Sequence, residues 1–226
     1  MSKITKIYSF YTDEVVELKS IFQNSIKDDW EVHIEYLGKT GEGNGNFATK
    51  GWYQIIQTKI SFLIEKIKEN RGDIIIWADI DIQFYGMCSE LIYSAIAGND
   101  IVFQAERWPL KEVNSGFTAI RCNDLTLLLY ELILQSDFGE MPFADQSAMN
   151  QILRENKIAI KWNVLPRQFW ATSHYMFDSL MPPNDIVLHH ANCTAPILRD
   201  GMMIGSIQLK LEQFKIINHY LSSRQD

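Results

Sequence analysis

Strand-like and helix-like stretches alternate along the chain. Ile4 to Tyr11 is rich in β-branched and aromatic residues, which predicts a strand. Asp13 then offers an N-cap to a helix running to about Ile26, with Val15, Val16, Leu18, Ile21, Phe22 and Ile26 recurring at threes and fours. Trp30 to Leu37 sets Trp30, Val32, Ile34 and Tyr36 against Glu31, His33 and Glu35, the alternation of a half-buried strand. From Thr49 to Asn70 the period is helical, with Trp52, Ile55, Ile56, Phe62, Leu63 and Ile67 on one stripe. Asp73 to Ala78 (DIIIWA) is an unbroken apolar run of the kind covered on both faces in a central strand. The remaining pattern predicts a helix over Cys88 to Ala97, strands over Asp100 to Gln104 and Asn114 to Arg121, and helices over Asp124 to Gln135 and Ala144 to Asn156. Strands over Lys157 to Val164 and Asp185 to His189 and a last helix over Ile207 to Leu221 follow. Such alternation predicts an α/β fold.

Composition narrows the class. The chain has 226 residues, 46% of them hydrophobic, enough to bury a full core, so disorder, a disulfide miniprotein and a collagen-like chain are excluded. No Pro/Gly/Ser-rich linker separates the hydrophobic segments, and residues 1–226 are expected to form a single domain. The net charge of −7 comes with no basic stripe, which argues against a nucleic-acid partner. Three widely spaced cysteines with no CxxC pair argue against a disulfide framework and a cysteine zinc site, and fit a reducing compartment. The N-terminus lacks the apolar stretch of a signal peptide. The richest later run, LTLLLYELIL, falls short of the roughly 20 residues a span needs and carries Glu131. The expectation is a cytoplasmic protein with no transmembrane segment.

Several residues fit chemistry better than packing. The glycine-rich run Gly38 to Asn46 lacks P-loop spacing and reads as a mobile loop. Lys59 falls on the apolar stripe of its helix, so its ammonium must snorkel to water or meet an anion. Asp79 and Asp81 follow the apolar strand two residues apart, which points both carboxylates to one side. Two acids so placed stay ionised only beside a cation, and a hard ion such as Mn²⁺ or Mg²⁺ would also bind diphosphate oxygens. A haloacid-dehalogenase-like phosphatase with Asp79 as nucleophile is the alternative, although its DxDx[TV] motif sits near the N-terminus, whereas here DIDIQ lies in the middle third. His189 and His190 follow a late apolar strand and face opposite sides, so at most one joins a given site as a metal ligand. Trp52, Trp77, Trp162 and Trp170 read as core, while Trp108 in ERWPLKE is a ligand-contact candidate. Met202-Met203 and Pro182-Pro183 read as structural, and Arg167 to Asn184 as a segment folding over a ligand.

In this order and spacing, WADIDIQF, VNSGFTAIR, FADQSAMNQIL and LHHANCT resemble the DxD-type nucleotide-diphospho-sugar glycosyltransferases of the GT-A fold, over roughly Thr49 to Lys210. The resemblance implies a Rossmann-related, mixed and mostly parallel central sheet flanked by helices. It also implies transfer of a sugar from a UDP- or GDP-sugar donor to a carbohydrate or other hydroxyl acceptor, with anomeric configuration retained. A catalytically inactive nucleotide-sugar-binding domain is the remaining alternative. On the same basis Asp79 and Asp81 contact ribose and the metal-bound diphosphate, and His190, ahead of His189, is the late metal ligand. Asn114, Ser115 and Gly116 lie beside the donor sugar, where a glycine permits close backbone approach. Asp145 and Gln146 match the DQ pair facing the sugar and the reacting carbon. Lys59 meets the diphosphate or the DxD carboxylates, and Tyr11 and Thr12 lie where the base is held. Lys210, with Arg199 as the alternative, is the phosphate partner, although its 20-residue separation from His190 exceeds the family's spacing.

Overall fold

The computed structural model describes residues 4–40, 49–107, 111–136, 144–172, 182–192 and 194–224. A six-stranded sheet runs in the order β2 (Glu31–Tyr36), β1 (Ile4–Tyr11), β3 (Ile74–Ala78), β6 (Val113–Arg121), β5 (Ile101–Ala105), β7 (Trp162–Val164). β1 is parallel to β2 and β3, and β5 to β7, while β6 runs antiparallel between β3 and β5. A small second sheet joins β4 (Ile82–Phe84), β9 (Leu188–Ala191) and β8 (Phe169–Thr172), and β10 (Ile197–Arg199) pairs with β11 (Met202–Ile204) as a hairpin. The expected mixed, mostly parallel sheet is present.

The unbroken apolar run of β3 is explained by its two neighbours. Ile75 and Trp77 turn to one face, where α2 (Lys50–Glu69), α4 (Asp124–Leu134) and α5 (Ala144–Arg154) supply Ile60, Leu63, Tyr130 and Met149. Ile74, Ile76 and Ala78 turn to the other, against Phe22 of α1 (Val16–Ser25), Ile92 of α3 (Ser89–Ile96) and Phe84 and Leu188 of the small sheet. A strand buried on both sides has no polar face to show, so alternation disappears. α4 starts on a reciprocal cap: Asn123 Oδ1 accepts from the Thr126 amide (2.9 Å) while Thr126 Oγ1 accepts from the Asn123 amide (3.1 Å). The last helix, α6 (Ser206–Ser222), lays Leu209, Phe214 and Ile217 inward.

Several sequence expectations are corrected. Asp13 does not cap α1: Asp13–Val15 form a 3₁₀ turn, and the carboxylate accepts instead from the Tyr36 hydroxyl. β2 is an edge strand without clean alternation, since Val32 (37%) and Tyr36 (54%) are exposed. The strand expected from Lys157 shrinks to Trp162–Val164, and that expected over Asp185–His189 begins only at Leu188. Met202 and Met203 stand exposed on their hairpin. Trp108 and most of the glycine-rich loop lie outside the described residues.

Candidate active site

The ends of β3, β9 and β5 and the start of β6 converge on one pocket. Asp79 leaves β3 with its amide donating to the Gly116 carbonyl of β6 (2.7 Å), and after one turn the Asp81 carbonyl accepts from the Ala191 amide of β9 (3.0 Å). The two acids are thus pinned by backbone on either side. Asp79, Asp81 and His190 each bring one ligand-capable atom within 4.8 Å of the others. The Asp81 side chain is 15% exposed and that of Asp79 31%.

His189 and His190 do face opposite ways. His189 Nε2 meets Gln213 Oε1 (3.0 Å) in the core, and burial pulls its pKa down to about 3, so it stays neutral. His190 turns into the site, where Nδ1 donates to Gln104 Oε1 (3.0 Å) and Nε2 lies 3.2 Å from Asp81 Oδ1. With the Nδ1 proton given to Gln104, the Nε2 lone pair faces a carboxylate oxygen that has no hydrogen bond of its own. Two lone pairs at that distance repel unless a proton or a cation lies between them. The donor set of two carboxylates and one imidazole therefore fits a divalent ion such as Mn²⁺ or Mg²⁺.

Gly116 makes room for a side chain of the site. A Cβ there would stand 2.1 Å from His190 Cε1 and 2.7 Å from Nδ1, so the imidazole itself occupies the space that glycine leaves. The β5–β6 register jumps here, pairing Phe103 with Thr118 but Gln104 with Asn114, and Ser115 to Phe117 bulge away from β5.

Two ammonium groups serve the acids. Lys59, 3% exposed, reaches Asp79 Oδ1 (3.1 Å), Asp145 Oδ2 (3.4 Å) and the Ser115 carbonyl (3.0 Å). Burial alone would push its pKa down, but Asp79 and then Asp145 outweigh that, and the net direction is up. The lysine is paired and does not snorkel. Asp79 is held above the usual carboxylate range by burial, partly offset by Lys59 and reinforced by Asp81. Lys210 of α6 contacts Asp81 Oδ2 and the Ala191 carbonyl. Burial raises the Asp81 pKa, but the Lys210 ammonium and, when a proton lies on its Nε2, the His190 imidazole outweigh it and hold the group well below the usual range. Arg199, the alternative to Lys210, is engaged elsewhere, forked onto Glu212 at 3.2 and 3.0 Å.

Of the residues singled out in the sequence, Tyr11, Thr12, Lys59, Asp79, Asp81, Asn114, Ser115, Gly116, Asp145, Gln146, His190 and Lys210 line this pocket, while His189 and Arg199 do not. Trp52, expected in the core, is half-buried and lines it too. Sequence reasoning passed over Gln104 and Glu106, which follow the apolar strand Ile101–Phe103 at period two, just as Asp79 and Asp81 follow Ile74–Trp77.

Residues 20–200 match the family of nucleotide-diphospho-sugar transferases. The chain belongs to that family. No curated protein matches in sequence. Among solved structures, the glycosyltransferase GlyE of Streptococcus pneumoniae TIGR4 superposes with a TM-score of 0.58 at 10% identity, over 98% of this chain and 64% of GlyE. A glycosyltransferase involved in glycosylation of the major capsid of PBCV-1 gives 0.55 at 13% identity, over 94% of this chain and 99% of its own. The galactosyltransferase LgtC, solved with donor and acceptor sugar analogs, gives 0.53 at 15% identity over 96% of both chains. At these identities the likeness is one of fold, and the fold is that of GT-A glycosyltransferases. This family member is thus GT-A in architecture, and no described helix is long and apolar enough to cross a membrane.

Proposed function

We propose that residues 1–226 form one metal-dependent glycosyltransferase domain. It moves a sugar from a UDP- or GDP-sugar to a hydroxyl of a carbohydrate or other acceptor, with retention, in a reducing, cytoplasmic setting. The observation carrying this reading is the Asp79, Asp81 and His190 cluster opening on the same pocket as Lys59 and Lys210. A divalent cation held by those three residues would supply Lewis-acid neutralisation of the departing diphosphate.

The chain's own residues do the rest. Lys59 stands between Asp79 and Asp145, one positive charge set between two acids of the pocket. Lys210, a flexible ammonium beside Asp81, is placed to follow the diphosphate as charge builds on it. Asp145 and Gln146, at the first turn of α5, lie where their oxygens can stabilise an oxocarbenium-like sugar. Tyr11 and Thr12 at the end of β1 would take the base. Of the described pocket acids, Asp79, Asp81 and Asp145 are engaged by lysines, and Glu14 accepts from the Thr40 amide at 3.2 Å. That leaves none placed as a free base for inversion. In the phosphatase reading Asp79 would attack through Oδ2, since Oδ1 takes Trp77 Nε1 (2.8 Å) and Lys59.

Titration calorimetry with UDP and with GDP, with and without Mn²⁺, tests the reading. Nucleotide binding should require metal and vanish in Asp81→Ala. Binding that is indifferent to metal and unchanged in Asp81→Ala would overturn it. Release of nucleotide from a donor on prolonged incubation separates an enzyme from an inactive binding domain, and hydrolysis of an aryl phosphate would point to the phosphatase.

A further inference from the structure

Glu106, at the end of β5, collects the side-chain amides of three different elements. Its Oε2 accepts from Asn114 Nδ2 of β6 (2.6 Å) and Gln146 Nε2 of α5 (3.0 Å), and its Oε1 from Asn192 Nδ2 just after β9 (3.2 Å). All three carboxamides line the pocket. Its own amide donates to the Glu112 carbonyl (2.8 Å), which fixes the carboxylate to the β5–β6 connection. An ionised carboxylate only accepts, so each amide must point its NH₂ toward Glu106 and turn its carbonyl away. Asn114 Oδ1 then accepts from the Gly116 amide (2.7 Å) at the His190 contact, and Gln146 Oε1 from the Ser115 amide (3.4 Å). Asn192 Oδ1 is left with no donor among the described residues.

We propose that Glu106 is a positioning residue that sets the orientation of Asn114, Gln146 and Asn192, so that the pocket wall beside the acid and imidazole cluster offers oxygen acceptors to ligand hydroxyls. This rests on the sugar-transfer reading for its ligand but not for its geometry. A neutral polyhydroxyl group brings hydroxyl donors, and a wall of fixed carbonyls receives them without reorganising on binding. Glu106→Gln tests the logic because it is isosteric. A glutamine has one oxygen and one NH₂. With its oxygen toward Asn114 and Gln146, its NH₂ faces that of Asn192, and Asn192 has to turn over. Asn192→Asp in the same chain removes that conflict, since an aspartate accepts from the new NH₂ without turning.

The experiment uses the ¹⁵N-labelled full chain as wild type, Glu106→Gln and the double variant. Side-chain carboxamide signals are followed by NMR, and affinity for UDP and for UDP-glucose in the presence of Mn²⁺ by calorimetry. The proposal expects the Asn192 carboxamide signals to move in Glu106→Gln. UDP affinity stays within about twofold, UDP-glucose affinity falls roughly tenfold, the worth of one hydrogen bond, and the double variant recovers most of it. A donor-sugar origin shows as this binding split, and an acceptor origin as an unchanged UDP-glucose affinity with a raised acceptor KM. Unmoved carboxamide signals, an equal loss for UDP and UDP-glucose, or a double variant no better than the single would each overturn the proposal. Should Glu106→Gln not fold, recovery of folding in the double variant supports the swap and failure to recover overturns it. If neither these two ligands nor GDP and GDP-mannose bind the wild type, the transfer reading fails and the carboxamide signals alone decide the role of Glu106.

Discussion

Replacing Gly116 by alanine adds one methyl group where the structure has least room for it. The new Cβ would lie 2.1 Å from His190 Cε1, 2.7 Å from Nδ1 and 2.9 Å from Asn114 Oδ1. To reach an ordinary carbon separation of about 3.5 Å, the ring must retreat by roughly 1.4 Å. It has little freedom to do so, being 4% exposed and bonded through Nδ1 to Gln104 at 3.0 Å. Overpacking a tight interior costs about 1–3 kcal/mol, and losing the Gln104 hydrogen bond adds about 1 kcal/mol. Stiffening of the unfolded chain by alanine returns about 0.4–1 kcal/mol, leaving a net loss of roughly 1–3.5 kcal/mol. Urea denaturation of wild type, Gly116→Ala, His190→Ala and the double variant measures this as a cycle. In the His190→Ala background the clashing ring is gone, and the added methyl should cost under about 1 kcal/mol, so the coupling should exceed about 1 kcal/mol. Strictly additive losses would refute the reasoning.

Two further outcomes follow from buried groups. Lys59→Met leaves Asp79 and Asp145 without their shared cation, and breaking a buried pair by removing one partner costs roughly 3–5 kcal/mol; a loss under about 1 kcal/mol by urea denaturation would contradict the pairing. Burial raises the Cys88 thiol well above its ordinary value and that of Cys122 to about 12. Both should therefore stay unmodified by iodoacetamide in the native protein at neutral pH, and react once it is unfolded, as read by peptide mass spectrometry.

What could be read from the chain depended on whether a side chain's reason lay close by in sequence. The β3 run and the two acids after it are local signals, and both stand where the spacing put them. Lys59 was legible as a contradiction, a charge on an apolar stripe, but its partners Asp79 and Asp145 lie 20 and 86 positions away, and only folding could name both. β4 and β8 escaped notice because three or four residues hold too little periodicity to separate from a turn. β2 misled because alternation predicts burial only where something covers the strand, and an edge is poorly covered. Gln104 and Glu106 share the period-two placement of Asp79 and Asp81, but Gln104 is neutral, so the pair carries no like-charge conflict to mark it. Gly116 was noticed, but its neighbour, the His190 ring, is a long-range contact that no glycine announces.

The bulge at Ser115 to Phe117 also governs where this fold can tolerate a change in length. In β6 a single residue inserted or removed would flip every later side chain to the opposite face. It would carry Phe117 and Ala119 out of one layer of the core and Thr118 and Ile120 into it. Residues gained or lost between Glu112 and Glu106 leave that alternation untouched. Homologous chains should therefore vary in the connection and hold a constant count from Asn114 to Arg121.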